Sequence, residues 1–245
     1  MPTEVSTRYT VKLNGREQVA EGTMAFYFEK PNGFEFRAGQ ALDITLLNPP
    51  ETDSEGDIRT FSIASPPFEG RLMITTRMRN TAFKRSLKSM PLGTTVKIEG
   101  PSGSLTLHKN SSKPAVFLAG GIGITPFMSI LRQAAKDKLP HRLHLFYSNR
   151  RPEDAPFLDA LTELQTTNPN FHLVATMTGI EKSQQKWTGK TGLIDRKMLA
   201  DNLSSLQGPI YYTAGPPAMV AAMRQMLITA GADEDDIRTE EFSGY

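Results

Sequence analysis

From Thr7 to about Leu107 apolar and polar positions alternate in short runs, among them Tyr9–Leu13, Ala25–Phe28, Leu42–Leu47, Thr60–Ala64, Leu72–Thr76 and Thr95–Glu99. Alternation with a period of two places one set of side chains on one face, so each run predicts a half-buried strand. Turn formers separate them: Asn14-Gly15, Pro31-Asn32-Gly33, Pro49-Pro50, Pro66-Pro67 and Pro91-Leu92-Gly93. Many short strands at close spacing predict an antiparallel β-barrel or sandwich. One stretch, roughly Thr81 to Met90, has helical spacing instead and carries Lys84, Arg85 and Lys88. Glu51–Asp57 (ETDSEGD) is acidic and predicts a solvated turn.

After Asn110-Ser111-Ser112 the rhythm changes. Apolar runs Ala115–Ala119, Leu143–Tyr147, Leu173–Met177 and Ile210–Thr213 now alternate with helical stretches reaching about Ala135, Ala155–Leu164 and Ala218–Thr229. That alternation predicts a parallel sheet with crossover helices. The chain therefore divides into an N-terminal β-barrel domain, 1–110, and a C-terminal α/β domain, 111–245.

Composition narrows the chemistry. A chain of 245 residues, 38% hydrophobic and 22% charged, is long enough for two ordinary domains. No apolar run approaches the ~20 residues of a membrane span, and the opening MPTEVSTRYT lacks an apolar signal core. The expectation is a cytoplasmic protein without membrane insertion. A net charge of +2 gives no ground for a nucleic-acid partner. The absence of cysteine excludes thiolate catalysis, disulfides and Cys-held zinc or iron–sulfur clusters within this chain. The four histidines give little: His141 and His144 flank a predicted strand start without a carboxylate spaced for a metal site, so no metal is expected.

Three stretches carry candidate chemistry. In Val116–Pro126 an apolar run ends in Gly120, Gly121 and Gly123, followed by Thr125-Pro126 and a helical pattern. This reads as strand, tight turn and helix start, with Thr125 as helix cap; such an N-terminus suits a pyrophosphate. Pro126 stands where the dinucleotide fingerprint has its third glycine. Thr213-Ala214-Gly215-Pro216-Pro217 is a second strand end turning into a helix, and ligands of open parallel sheets bind at strand carboxyl ends. In Arg59-Thr60-Phe61-Ser62, alternation sets Arg59 and Phe61 on one face and Thr60 and Ser62 on the other. Arginine can clamp a phosphate, an aromatic can stack on a ring, and a hydroxyl can hydrogen-bond a ring nitrogen.

In this order, R-x-[YF]-S, GGxGxTP, GPPxM and a C-terminus with Glu240, Glu241, Phe242 and Tyr245 resemble the ferredoxin–NADP⁺ reductase family over essentially the whole chain. The resemblance implies an FAD-binding barrel and an NAD(P)-binding α/β domain. It assigns Arg59 to the flavin pyrophosphate, Phe61 to ring stacking in place of the usual Tyr, and Ser62, beside Thr60, to a hydrogen bond near the flavin N5. Thr75, Thr76 and Arg77 would run along the cofactor, and Ala82, Phe83 and Lys84 would offer N–H groups to its phosphates. That segment, Asn80-Thr81-Ala82-Phe83-Lys84, departs from the family's Gly-rich turn and Ser, which leaves FAD against FMN open. Gly121, Gly123 and Thr125, with Gly215 and Pro216, would receive the nicotinamide nucleotide. Ser148 and Arg150 would hold a 2′-phosphate, favouring NADPH over NADH. Ala214 replaces a cysteine common in relatives. Glu240 would relay a proton through Ser62, with Glu241 as the adjacent alternative, and Phe242 and Tyr245 would be the terminal aromatics.

The implied activity is an FAD-dependent NAD(P)H reductase passing hydride from NAD(P)H to FAD and electrons to a separate acceptor. That acceptor would be an acidic protein such as ferredoxin or flavodoxin, steered by Arg77, Arg79, Lys84, Arg85 and Lys88, or a small molecule. The alternative is a flavin-binding electron-transfer subunit of a larger complex.

Overall fold

A computed structural model describes residues 7–242 of the chain. The first six strands are β1 (Thr7–Ala20), β2 (Thr23–Glu29), β3 (Ala41–Leu46), β4 (Ile58–Ser62), β5 (Arg71–Arg77) and β6 (Thr95–Ser102). They form one antiparallel sheet in the order β4-β3-β6-β1-β2-β5. Alternate residues fill its interior: Val11 and Leu13, Phe26 and Phe28, Leu42, Ile44 and Leu46, Leu72 and Ile74, Val96 and Ile98. Helix α1 (Ala82–Ser89) closes one end by inserting Phe83 and Leu87 into that core, with Thr81 as its N-cap.

Asn14-Gly15, which the sequence suggested as a turn, instead lies inside β1. The register with β2 shifts between Leu13 and Gly15, so the extra residue is absorbed as a bulge. The hairpin turn falls at Glu21-Gly22, where Gly22 takes a φ of 65°.

Residues 103–114 lead to the second sheet. Its strands are β7 (Ala115–Gly120), β8 (Leu143–Asn149), β9 (Phe171–Met177), β10 (Lys190–Thr191), β11 (Ile210–Gly215) and β12 (Ile237–Glu241). All pair in parallel, in the order β10-β9-β8-β7-β11-β12. β7 is central and buried on both faces. Ala115, Phe117 and Ala119 pack with residues of α2 (Ile124–Lys136) and α3 (Leu158–Thr167). Val116 and Leu118 pack with residues of α4 (Arg196–Asn202) and α5 (Pro217–Thr229). Helix α3 starts three residues later than its apolar pattern suggests, because Pro156 and a left-handed Phe157, at φ 64°, intervene.

The two sheets are tied together directly. Ser129 Oγ donates to the Ser65 carbonyl at 2.8 Å, Glu21 N–H to the Glu153 carbonyl at 2.7 Å, and Arg151 pairs with Glu21 at 2.9 Å. Gly39, at φ 96°, lets the barrel approach the Leu105 carbonyl so closely that a Cβ would lie 2.1 Å from it.

Candidate active site

The barrel has a gap in its wall. β4 and β5 are the two edges of the sheet, and they meet only around the bridge Ile63–Ile74 and the bond from Ala64 N–H to the Met73 carbonyl, 2.8 Å. Continued toward the start of β4, that antiparallel ladder would oppose Ser62 to Thr75, Phe61 to Thr76 and Thr60 to Arg77. No such ladder forms. A cleft of about 610 Å³ runs between the strands, lined by Thr60, Phe61, Ser62, Thr75, Thr76 and Arg77. Thr75 Oγ1 is buried there without a hydrogen-bond partner. Phe61 rests on Phe83, ring centroids 5.9 Å apart, and Phe83 also lies under the Arg59 guanidinium at 5.2 Å.

One end of the cleft is cationic. Arg59, Arg77, Arg79 and Lys84 line it, together with Thr81 at the start of α1. Lys84 Nζ donates to the Arg77 carbonyl at 2.8 Å. Burial first, then the charges of Arg79 and Arg59, push its ammonium down to about 8. The acidic loop 51–57 is solvent-exposed from Glu51 to Glu55, as its composition suggests, and its carboxylates also reach back to this end. Glu55 and Asp53 accept from Arg59 at 2.8 and 3.4 Å, Asp53 accepts the Ala82 N–H at 2.9 Å, and Glu51 pairs with Arg85. The Ala82 N–H holds the Asp53 carboxyl below its ordinary range.

The other end is roofed by the glycine turn. Ile122 and Thr125 line the cleft from above, and Phe242 closes its side. Thr125 is not the helix cap: Gly121–Gly123 form a turn of 3-10 helix, α2 begins at Ile124, and Thr125 Oγ1 donates to the Ile122 carbonyl at 3.0 Å. The glycines serve packing as much as ligand approach. A Cβ on Gly123 would sit 2.1 Å from the Ala214 carbonyl oxygen, and one on Gly120 would sit 2.3 Å from Met219 Sδ. Gly215, at φ 154°, packs in turn on the Gly120 backbone. The β7 and β11 turns thus interlock at the point where strand order reverses, the usual ligand crevice of such sheets.

Ser62 Oγ donates to Glu240 Oε1 across the domain seam at 2.9 Å. Burial raises the Glu240 carboxyl above its ordinary value, and the Ser62 hydrogen bond opposes that rise. Glu240 pairs in register with Ala214, and the Phe242 N–H donates to the Gly215 carbonyl at 3.0 Å.

Of the residues singled out from sequence, the structure brings Arg59, Thr60, Phe61, Ser62, Thr75, Thr76, Arg77, Lys84, Thr125 and Phe242 to one cleft. Ala82 takes part through its N–H, and Phe83 is buried beneath the cleft floor. Gly121, Gly123, Ser148, Arg150, Gly215 and Pro216 lie instead at the carboxyl ends of β7, β8 and β11, where Ser148 stands beside Gly120 in register. Arg150 is exposed there, whereas Arg151 is bound to Asp154 and Glu21. Tyr245 lies outside the described residues. Ile58, Glu55, Thr81 and Ile122 also line the cleft and escaped the sequence reading. The one signal for the loop was four acids immediately before Arg59.

Residues 117–225 match the model of the oxidoreductase NAD-binding domain family, and the chain has the fold of a solved ferredoxin NADP⁺ reductase. A ferredoxin NADP⁺ reductase from Neisseria gonorrhoeae, solved with bound FAD and NADP, superimposes with a TM-score of 0.80 at 21% identity, covering 96% of this chain and 98% of that one. An Amycolatopsis cytochrome P450 reductase superimposes with a TM-score of 0.83 at 21% identity, covering 98% and 71%. The reductase component 2 of terephthalate 1,2-dioxygenase from a Comamonas species is 26% identical over 245 residues, 98% of this chain and 70% of that protein. One subunit of the Na⁺-translocating NADH-quinone reductase of Methylococcus capsulatus is 29% identical over 203 residues, 76% of this chain. The chain spans about half, 49%, of the length of that relative. Among the described residues no helix is long and apolar enough to cross a membrane.

Proposed function

We propose that the protein is an FAD-dependent NAD(P)H reductase, with 1–110 as the flavin domain and 111–245 as the pyridine-nucleotide domain. The observation that carries the reading is the unpaired gap between β4 and β5, opening directly beneath the glycine turn of the second domain. A planar heterocycle with polar edges fits this gap: backbone edges diverge on two sides, Ser62 and the unpartnered Thr75 Oγ1 are buried in its walls, and cations gather at one end. When bound, the flavin supplies a two-electron acceptor that can return electrons singly.

The chain's own residues supply position and protons. Phe61, braced by Phe83, gives an apolar face for stacking. Ser62 presents its hydroxyl to the cleft and holds Glu240, which makes a path for a proton from the seam to the cleft wall. Lys84, Arg77 and Arg79 attract phosphate oxygens. Gly121, Gly123, Thr125, Gly215 and Pro216 form the crevice for the nicotinamide nucleotide, and Ser148 and Arg150 face the end where a 2′-phosphate would lie. Phe242 shields the cleft side where a nicotinamide would approach.

Electrons leave to a separate acceptor, a ferredoxin- or flavodoxin-like acidic protein or a small molecule. The longer relatives are named as parts of larger enzymes, which supports a multi-protein setting. The test is the absorbance spectrum of the purified protein followed by anaerobic titration with NADPH and NADH. A flavin spectrum bleached by either nucleotide supports the reading; protein that neither contains nor takes up FAD ends it. A flavin spectrum that no pyridine nucleotide bleaches would favour a bare electron-transfer subunit.

A further inference from the structure

The acidic loop and the cofactor's diphosphate would need the same donors. Arg59 gives one terminal nitrogen to the carbonyls of Glu55, Gly56 and Ile58, at 2.8, 3.1 and 2.7 Å. It gives the other to the carboxylates of Glu55 and Asp53, at 2.8 and 3.4 Å. The Ala82 N–H, which points out of the α1 N-terminus, is taken by the second Asp53 oxygen at 2.9 Å. Carboxylate and phosphate oxygens are both negatively charged acceptors, so they repel when aimed at one donor set. The loop packs four carboxylates into residues 51–57, which makes that repulsion general rather than local.

Resting on the flavin reading above, we propose that loop 51–57 is an internal competitor for the FAD diphosphate: Asp53 and Glu55 occupy the anion-binding donors and must swing out before the diphosphate can seat. The Glu55 side chain is 66% exposed, so its release into water is easy. Lys84, Arg77 and Arg79 line the same end of the cleft, Lys84 feeling the Glu55 charge but forming no ion pair among the described residues, and they offer the incoming phosphate a first foothold while the loop is still closed. Binding is then reduced by the fraction of molecules in which the loop is shut.

Two measurements on the full chain test this. In the first, hydrogen–deuterium exchange of residues 51–57 is followed while flavin-stripped wild-type protein is titrated with FAD. Exchange in the loop rises as FAD binds; slower exchange there overturns the proposal and makes the loop a scaffold for Arg59. In the second, FAD and riboflavin affinities are measured by fluorescence for wild type and for the Asp53→Ala/Glu55→Gln double variant. The variant binds FAD about tenfold more tightly and riboflavin, which has no phosphate, unchanged. Equal or weaker FAD binding, or an equal gain for riboflavin, overturns the competition. If neither protein takes up any flavin while both fold, the flavin reading itself has failed and this proposal falls with it, an outcome distinct from the others.

Discussion

Ser62 on β4 and Glu240 on β12 are 178 residues apart in the chain, yet their side chains meet at 2.9 Å across the seam between the two sheets. The pair joins the wall of the barrel gap to the last strand of the nucleotide domain. Its environment is dry enough to raise the carboxyl above its ordinary value despite the hydroxyl that donates to it.

A carboxyl raised in this way weighs against stability above its unfolded value of 4.5, because the dry site opposes its charged form, and ceases to do so as pH falls below 4.5. Glu240→Gln keeps an acceptor for Ser62 without the charge. The variant should melt at or above the wild-type temperature at pH 7, and the difference should vanish near pH 4. Reoxidation of its flavin by a one-electron acceptor in stopped flow, where the hydrogen brought by the hydride must leave as a proton, should slow by about 100-fold if Glu240 moves that proton. An unchanged rate would remove it from the chemistry.

Lys84 has the opposite sign. Its folded value of about 8 lies below the ordinary 10.5, so the buried ammonium weighs on stability fully below pH 8 and not at all above about 10.5. A phosphate beside it restores the proton. FAD binding should therefore weaken as pH climbs from 8 to 10. Lys84→Met should flatten that dependence and raise the melting temperature of flavin-free protein at pH 7 but not at pH 10. Fluorescence titration and thermal scans at the two pH values read both effects.

Gly123→Ala forces a Cβ to within 2.1 Å of the Ala214 carbonyl, which is backbone and cannot rotate aside. The β7 and β11 turns must separate, at a cost of about 3 kcal/mol. Gly70→Ala meets nothing within 4 Å and serves as the neutral comparison. A thermal scan in which the two variants melt alike would show that the turns are not locked together.

Adjacent arginines should divide cleanly. Arg150 is exposed at the end of β8, so Arg150→Ala should raise KM for NADPH about tenfold and leave NADH nearly untouched. Arg151 instead bridges Asp154 and Glu21, so Arg151→Ala should lower the melting temperature and affect both nucleotides equally. Steady-state assays with ferricyanide as acceptor separate the two patterns, and equal loss of NADPH and NADH use in Arg150→Ala would argue against a 2′-phosphate contact.

The sequence alone marked most of the strands and helices, though not β10, α4 or β12, and determined that the chain changes from antiparallel to parallel architecture near Asn110. Those are local matters: side-chain period and turn chemistry act over a few residues, and Leu42, Ile44 and Leu46 must share a face whatever surrounds them. It also marked Arg59–Ser62 and Gly120–Thr125 as stretches whose residue types suit a ligand. What it could not contain was which distant groups meet. Asn14-Gly15 has the composition of a turn but became a bulge because β1 continues along β2. Gly123 belongs to a glycine turn in sequence, yet its lack of a side chain is demanded by Ala214, almost a hundred positions away. The acids before Arg59 stay solvated, as a line of text suggests, but only the folding of loop 51–57 beside α1 sets Asp53 and Glu55 on Arg59 and Asp53 on Ala82. Long-range contact depends on how two sheets close on each other, and that closure is a property of the whole core rather than of any window of residues.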